Sequence, residues 1–349
     1  LYYQGTFSNN LAHMHFDSGE FSQARAGFQS SLSFARLAGD RRVETIALAN
    51  IADMNWRLGD YKASLTGFQR SLEQDLVLRN KVGQASTQRN IGNVQRIVGR
   101  YGQALALLSE ALAGHQKLDI QAHVAVDQQH LAKLYGDLGA YDRSEQHWQA
   151  SRSLCETLNL KTTMARTYCG LGQVAVQQGE PHRALDSLHQ AEELARKAEL
   201  RDDLMHVHNV QALAHLALDD LPAAETLARQ ALVLSDAGPS PHGRLTALGI
   251  LVDISLRRGD GPTAFQMARE GWEHLQAIGY FDGSEAALAY TCWLAASAVG
   301  EQAKAEDFMS WGYRVLMEQA ATLDREPSLR HSFLENIPAH RAVVLFHKK

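Results

Sequence analysis

Gly59-Asp60-Tyr61-Lys62-Ala63-Ser64 recurs along this chain with a period of 40 residues. Gly19-Glu20-Phe21 leads to Ala24, Gly99-Arg100-Tyr101 to Ala104, and Gly139-Ala140-Tyr141 to Ser144. Looser copies begin at Gly179, Asp219 and Gly259, and an eighth mark, Gly300, falls one residue late. A fixed period over nearly the whole chain means one supersecondary unit copied along a line, not a single central core.

Apolar residues flank each mark at helical spacing. In the second copy Leu48, Ile51, Ala52 and Asn55 precede Gly59, and Tyr61, Leu65, Phe68, Ser71 and Leu72 follow it. Steps of three and four place each set on one stripe of a helix. The glycine suits a left-handed helix end, where a Cβ is unfavourable. Pro181, Pro222 and Pro262 fit the first turn of the helix after the mark. Ala24, Ala104, Ala184, Ala224 and Ala264 let the two helices approach closely. Two helices joined by so short a turn form an antiparallel hairpin, helix A then helix B. The predicted fold is all-α: a right-handed α–α superhelix of about eight hairpins, followed by C-terminal capping helices.

With a small residue seven before the mark (Ala12, Ala52, Gly92, Ala132, Gly172, Ala212), an aromatic two after it and a small residue five after it, the chain resembles the tetratricopeptide repeat family. The likeness covers 1–320. Each copy exceeds the usual repeat of about 34 residues, as in Pins-type polarity scaffolds and bacterial signalling proteins. The Gly-x-aromatic-x-x-Ala signature argues against an armadillo or HEAT array.

Net charge is −5 and the pI about 6.4, against a nucleic-acid partner, which needs a basic face. Three scattered cysteines, Cys155, Cys169 and Cys292, read as reduced thiols of a cytoplasmic protein. No apolar run approaches the ~20 residues of a membrane span, and no signal peptide is visible. The chain is in repeat phase from Leu1, which aligns with Arg41, so a piece of a longer protein is expected. Leu1-Tyr2-Tyr3-Gln4-Gly5 reads equally as native repeat and as the remnant of a protease tag.

The strongest break is 236–243, with two prolines and two glycines, a hinge or an ordinary inter-repeat loop. Copies seven and eight carry Trp272, Trp293 and Trp311 where small residues are usual, as terminal copies often do. Beyond them, 321–349 forms the capping segment. Pro327 and Pro338 each start a short helix, and Leu329, Phe333 and Ile337, spaced by four, cover the last hairpin. Ser332-Phe-Leu-Glu-Asn-Ile-Pro-Ala-His-Arg341 resembles the closing segment of arrays in STAND-type regulators and in cyclase or kinase fusions. The resemblance implies an upstream effector domain.

No chemistry rises from the 16 histidines. His206 and His208 point about 200° apart on a helix, as do His13 and His15. His123 and His130 share a face without completing a ligand set. Cys169 comes near His206 in the next copy, but nothing supplies an oxyanion hole. The glycines are helix stops, not a phosphate loop. Neither enzyme activity, nor a metal, nor a cofactor is expected.

The family resemblance places the ligand on the concave wall, lined by helix A. Its ligand-facing positions fall here on Asp53, Trp56 and Arg57, on Ser86, Arg89, Asn93, Arg96 and Ile97, on Gln129, Lys133 and Asp137, and on Arg166, Cys169, Gln173 and Gln177. Five cations against two carboxylates favour an acidic peptide or a free C-terminal carboxylate. Leu213, Leu216, Ala217 and Leu256 make the wall of copies six and seven more apolar. Asn10, Asn50 and Asn90 recur at one position, where an amide suits an extended peptide backbone or a bond to the neighbouring helix. Of the family's carboxylate clamp, Arg89, Asn93 and Arg166 are present, but His130 and Gly170 replace the required asparagine and basic residue.

The expected role is a non-catalytic protein- or peptide-binding module, the sensor or interaction array of a larger bacterial cytosolic signalling protein. A free-standing receptor for a small signalling peptide, resembling quorum-sensing regulators, and a self-assembling scaffold are the alternatives. Copies one to five read as the binding stretch and the later copies as a capping stretch.

Overall fold

In a computed structural model the protein is described over residues 2–236, 241–282 and 284–348. Eighteen helices and no strand occur among the described residues. The A helices are α1 (Tyr2–Asp17), α3 (Arg41–Arg57), α5 (Lys81–Ile97), α7 (Gln121–Asp137), α9 (Lys161–Gln177), α11 (Arg201–Ala217), α13 (Pro241–Arg257) and α15 (Glu285–Ala298). Their B partners are α2 (Phe21–Ala38), α4 (Tyr61–Val77), α6 (Tyr101–Lys117), α8 (Tyr141–Leu158), α10 (Pro181–Lys197), α12 (Leu221–Asp236), α14 (Gly261–Ile278) and α16 (Gln302–Ala321). Two short helices follow, α17 (Pro327–Glu335) and α18 (Pro338–His347). No helix of the described residues is long and apolar enough to cross a membrane.

The glycine ladder marks the elbow of each hairpin. Gly19, Gly59, Gly99, Gly139, Gly179 and Gly259 have φ between 66° and 82°, and Asp219 adopts φ 60° in their place. At Gly59 the elbow closes through Gly59 N–H to Trp56 O at 3.0 Å and Asp60 N–H to Asn55 O at 2.8 Å. These bonds satisfy carbonyls the helix end leaves open. A second ladder lies between hairpins. Gly39, Arg79, Asp119, Asn159 and Glu199 are also left-handed, again 40 residues apart, and Gly279 follows two periods after Glu199. Its residue types have little in common, so the sequence shows no period there. Asp40 and Asn80 cap the helices that follow, accepting from Arg42 and Val43 N–H and from Gly83 N–H.

Small residues set the hairpin spacing. Ala24, Ser64, Ala104, Ser144, Ala184, Ala224 and Ala264 are all fully buried. A Cβ on Gly27 would lie 2.7 Å from that of Ala12, and one on Gly67 2.8 Å from that of Ala52. Successive A helices also touch one another, as α7 touches α9 and α9 touches α11. This puts the A helices on the inside of a right-handed α–α superhelix.

The superhelix turns far enough to meet itself. The α17–α18 pair covers the last hairpin, as the spacing of Leu329 and Phe333 predicts, and also reaches the elbows of copies three and four. One apolar cluster joins Tyr101, Leu108, Leu131 and Leu134 to Met309, Leu316, Leu329, Phe333 and Val343. The Tyr101 N–H donates to Thr322 Oγ1 at 3.1 Å. Asn336 Nδ2 donates to the Gly139 carbonyl at 2.9 Å. The tryptophans of the last copies pack as a cluster, with Trp272 4.7 Å from Phe308 and 4.8 Å from Trp311, ring to ring. The core of the break read as a hinge, 237–240, and Leu1 lie outside the described residues.

Candidate binding groove

Because the A helices form the inner wall, side chains from distant copies face each other across a channel. Arg57 of α3 approaches Asp202 of α11 at 3.9 Å, and Arg96 of α5 meets Asp282, past α14, at 2.7 Å.

The expected groove residues divide into three groups. The first is tied into the scaffold. Gln129 is buried, and its amide donates to Thr163 O at 2.7 Å and Thr167 Oγ1 at 2.8 Å, locking α7 to α9. Asn93 is buried and accepts from Arg96 Nε at 3.3 Å. Asn50 donates to Asn9 at 3.3 Å, the bond to a neighbouring helix. Ile97 is buried in the core beside Tyr61 and Phe68 and not on the wall.

The second group comprises paired cations. Arg57 lies over the rings of Phe16, Phe21 and Trp56 at 4.7, 5.1 and 5.2 Å, with Asp53 at 3.3 Å. Arg89 binds Asp127 at 3.3 Å, and Arg166 binds Asp203 at 2.9 Å. Arg96 is buried between Asp137 at 2.5 Å and Asp282 at 2.7 Å. Counting only the expected positions gives a positive wall. Folding adds Asp127, Asp202, Asp203 and Asp282, so the wall is a lattice of both signs.

The third group is open. Lys133, Asn90 and Gln173 are half-buried, and no hydrogen bond or ion pair reaches their side chains among the described residues. Burial pulls the Lys133 ammonium pKa down. Asp282 and Asp203 oppose that pull, and Arg96 and Arg166 add to it. His206 keeps an exposed face, yet the protein around it, with Lys133, pulls its pKa down to about 4.

The three thiols are buried. Burial pushes Cys169 and Cys292 up to about 12 and also raises Cys155, which disfavours the nucleophilic thiolate near neutrality. Sequence reading missed one polar cluster. Asp127 Oδ2 is 2.6 Å from His115 Nδ1, and His115 Nε2 is 3.2 Å from Ser86 Oγ. Carboxylate, imidazole and hydroxyl thus lie in relay order. However, Ser86 sits mid-helix in α5, where the backbone N–H groups are used by the helix and none is left for an oxyanion. The cluster compensates the buried Asp127 and pins α5, α6 and α7 together. No group of His, Cys, Asp or Glu among the described residues is arranged to hold a metal ion.

The clamp substitution at Gly170 has a steric cause. A Cβ there would lie 2.2 Å from the Trp148 ring, so no longer side chain fits.

No curated protein matches the sequence. Among solved structures, the Rap conjugation gene regulator of the plasmid pLS20 in complex with the Phr* peptide superposes with TM-score 0.64 at 13% identity, covering 79% of this chain and 74% of that one. NprR in complex with its cognate peptide NprX gives 0.56 at 12%, covering 73% of each. A Signal Transduction ATPase with Numerous Domains, with a tetratricopeptide repeat sensor, from Pyrococcus horikoshii gives 0.54 at 13%, covering 93% of this chain and 53% of that one. This chain therefore spans about half of the last protein. At such identity these likenesses show the fold alone. Sequence profiles of the tetratricopeptide repeat match residues 44–117, 122–197 and 205–230, just over half of the chain. With eight helical hairpins, seven of them on one 40-residue period, and an inner wall of A helices, the chain belongs to the tetratricopeptide repeat family.

Proposed function

We propose that the inner channel binds a peptide or protein segment with a negatively charged group. The observation that carries this reading is Lys133, an ammonium facing the channel without an ion-pair partner among the described residues. Asn90 and Gln173 offer unpaired amides on the same wall, suited to a peptide backbone. Two structures of similar fold hold peptides, which supports the reading. Arg89 and Gln129 act as the scaffold of the site, and Arg96 stands in the channel between Asp137 and Asp282. Lys133, Arg166, Asn90 and Gln173 are its contact residues, with Asn50, Asp53, Arg57 and Asn93 behind them.

The module serves as the sensor or interaction array of a cytoplasmic bacterial signalling protein with an upstream effector domain, which the closing segment after Asp324 supports. Capture from a pool of random decapeptides with free carboxylates tests the site. The Lys133→Glu/Arg166→Glu double variant should lose the peptides the native chain retains, at unchanged helicity. Equal retention by both would refute the groove. A free-standing peptide receptor is the second reading, favoured by the fold match to both peptide complexes over about three-quarters of each chain. The coding sequence around Leu1 separates the two.

A further inference from the structure

Copy eight departs from the period at one place. Between successive hairpins from one to six, two or three residues link B to the next A, but six residues lie between Ile278 and Glu285. The inner helix α15 has 14 residues where other A helices have 16 or 17. Its first turn is given up, and the chain before it crosses the channel to copies two and three. Tyr280 packs edge-on against Tyr61, with centroids 5.9 Å apart. Asp282 Oδ1 meets Arg96 Nη2 at 2.7 Å, and its backbone N–H donates to His242 Nδ1 at 2.9 Å. His242 in turn bonds the Tyr61 hydroxyl. Arg96, His242 and Lys133 together hold the Asp282 carboxyl below its ordinary range, against the effect of burial.

This is the environment a ligand carboxylate requires, and a segment of the chain already fills it. Resting on the groove reading above, we infer that Asp282 is a resident mimic of the ligand, and that a peptide carboxylate preceded by an aromatic residue displaces it from Arg96. Tyr280, exposed and packed on Tyr61, and Asp282 state the ligand class, an aromatic residue two positions before an acid, while Phe281 is buried in the core of copies seven and eight. The displacement removes one of the ties between the start and end of the superhelix, so binding at Arg96 loosens the closed array.

A fluorescein-labelled acetyl-Gly-Tyr-Phe-Asp-Gly-Ser-amide, copying 279–284, is the probe, read by fluorescence anisotropy. Asp282→Asn removes the resident negative charge with little change in shape. The probe should bind D282N at least about ten-fold more tightly than the native chain, a difference of about 1.4 kcal/mol. The gain should vanish when the probe's own Asp is replaced by Asn, and in the Arg96→Gln/Asp282→Asn variant. Native and D282N chains of equal helicity that bind the probe equally, or not at all, overturn the inference. The decapeptide pool run on the same two proteins separates the failures. Pool retention through Lys133 and Arg166 with no gain in D282N leaves the groove standing and removes the displacement. Absence of retention by the native chain counts against the groove itself.

Discussion

A Cβ placed on Gly102 would lie 2.2 Å from the carbonyl oxygen of Thr322, 220 positions later in the sequence. The contact is backbone against backbone, so no rotamer relieves it. Gly102→Ala should therefore lift the chain after α16 off copy three, at about 2–3 kcal/mol. Limited proteolysis between α16 and α17 should become rapid. Gly179→Ala is the control. Its φ is 78° but nothing lies within 4 Å, so only the left-handed strain of about 1 kcal/mol applies. Equal melting losses in the two variants would contradict the closure.

Arg96 is buried between two carboxylates, and removing it leaves both facing each other. Arg96→Gln should cost about 3 kcal/mol in urea unfolding. Asp282→Asn should cost clearly less, because Asp137 still holds the guanidinium. A double-mutant cycle for this pair should give a coupling above about 1 kcal/mol. Additive losses would mean the two groups do not interact across the channel.

Trp148 fills the space that a side chain at Gly170 would need. Gly170→Ala is expected to destabilise by about 3 kcal/mol through overpacking, as read by the thermal midpoint. Trp148→Phe placed on top should recover part of the loss. A Gly170→Ala chain that melts like the native one would show the ring free to move.

Two buried groups give stability an opposite pH dependence. Burial raises Glu285 from 4.5 to about 7, so the fold disfavours its ionised form. The penalty is absent below about pH 4.5 and complete above about pH 7, at about 3 kcal/mol. Glu285→Gln should thus raise the melting temperature at pH 8 and have little effect near pH 4.5. His340 is lowered from 6.5 to about 4 by burial, partly offset by its bond to Phe333 O. Its neutral ring donates to Phe333 O at 2.8 Å and faces Ser284 Oγ at 2.5 Å. Here stability is full above pH 6.5 and lost as pH falls toward about 4. His340→Gln should remove part of that acid loss, and an unchanged acid limb would show that the ring is not held neutral.

The hairpins were legible because glycine at an elbow has one physical reason, a positive φ, and repeats it. The second ladder was not, because Arg79, Asp119, Asn159 and Glu199 adopt the same φ without sharing a residue type. The groove was half legible. The family resemblance pointed to the inner face of the A helices, but a charge count over those positions overlooked the neighbouring copy. Arg89 and Asp127 lie 38 residues apart, and Arg166 and Asp203 lie 37 apart, close to one period. A search for opposite charges one repeat apart would have paired them beforehand. Arg96 with Asp282 is beyond such a search, since 186 residues separate them and only the curvature of the array brings them together.

An open solenoid unfolds from its ends, each unit held by its neighbours alone. The cluster joining Tyr101 to Phe333 and Val343 changes that here. The last copies cannot fray without exposing apolar surface on copies three and four, so one end is locked. Unravelling is left to start at α1 and α2. Native-state hydrogen exchange should thus run as a one-sided gradient, fastest in the first hairpin, with α5 through α18 opening as a single cooperative block.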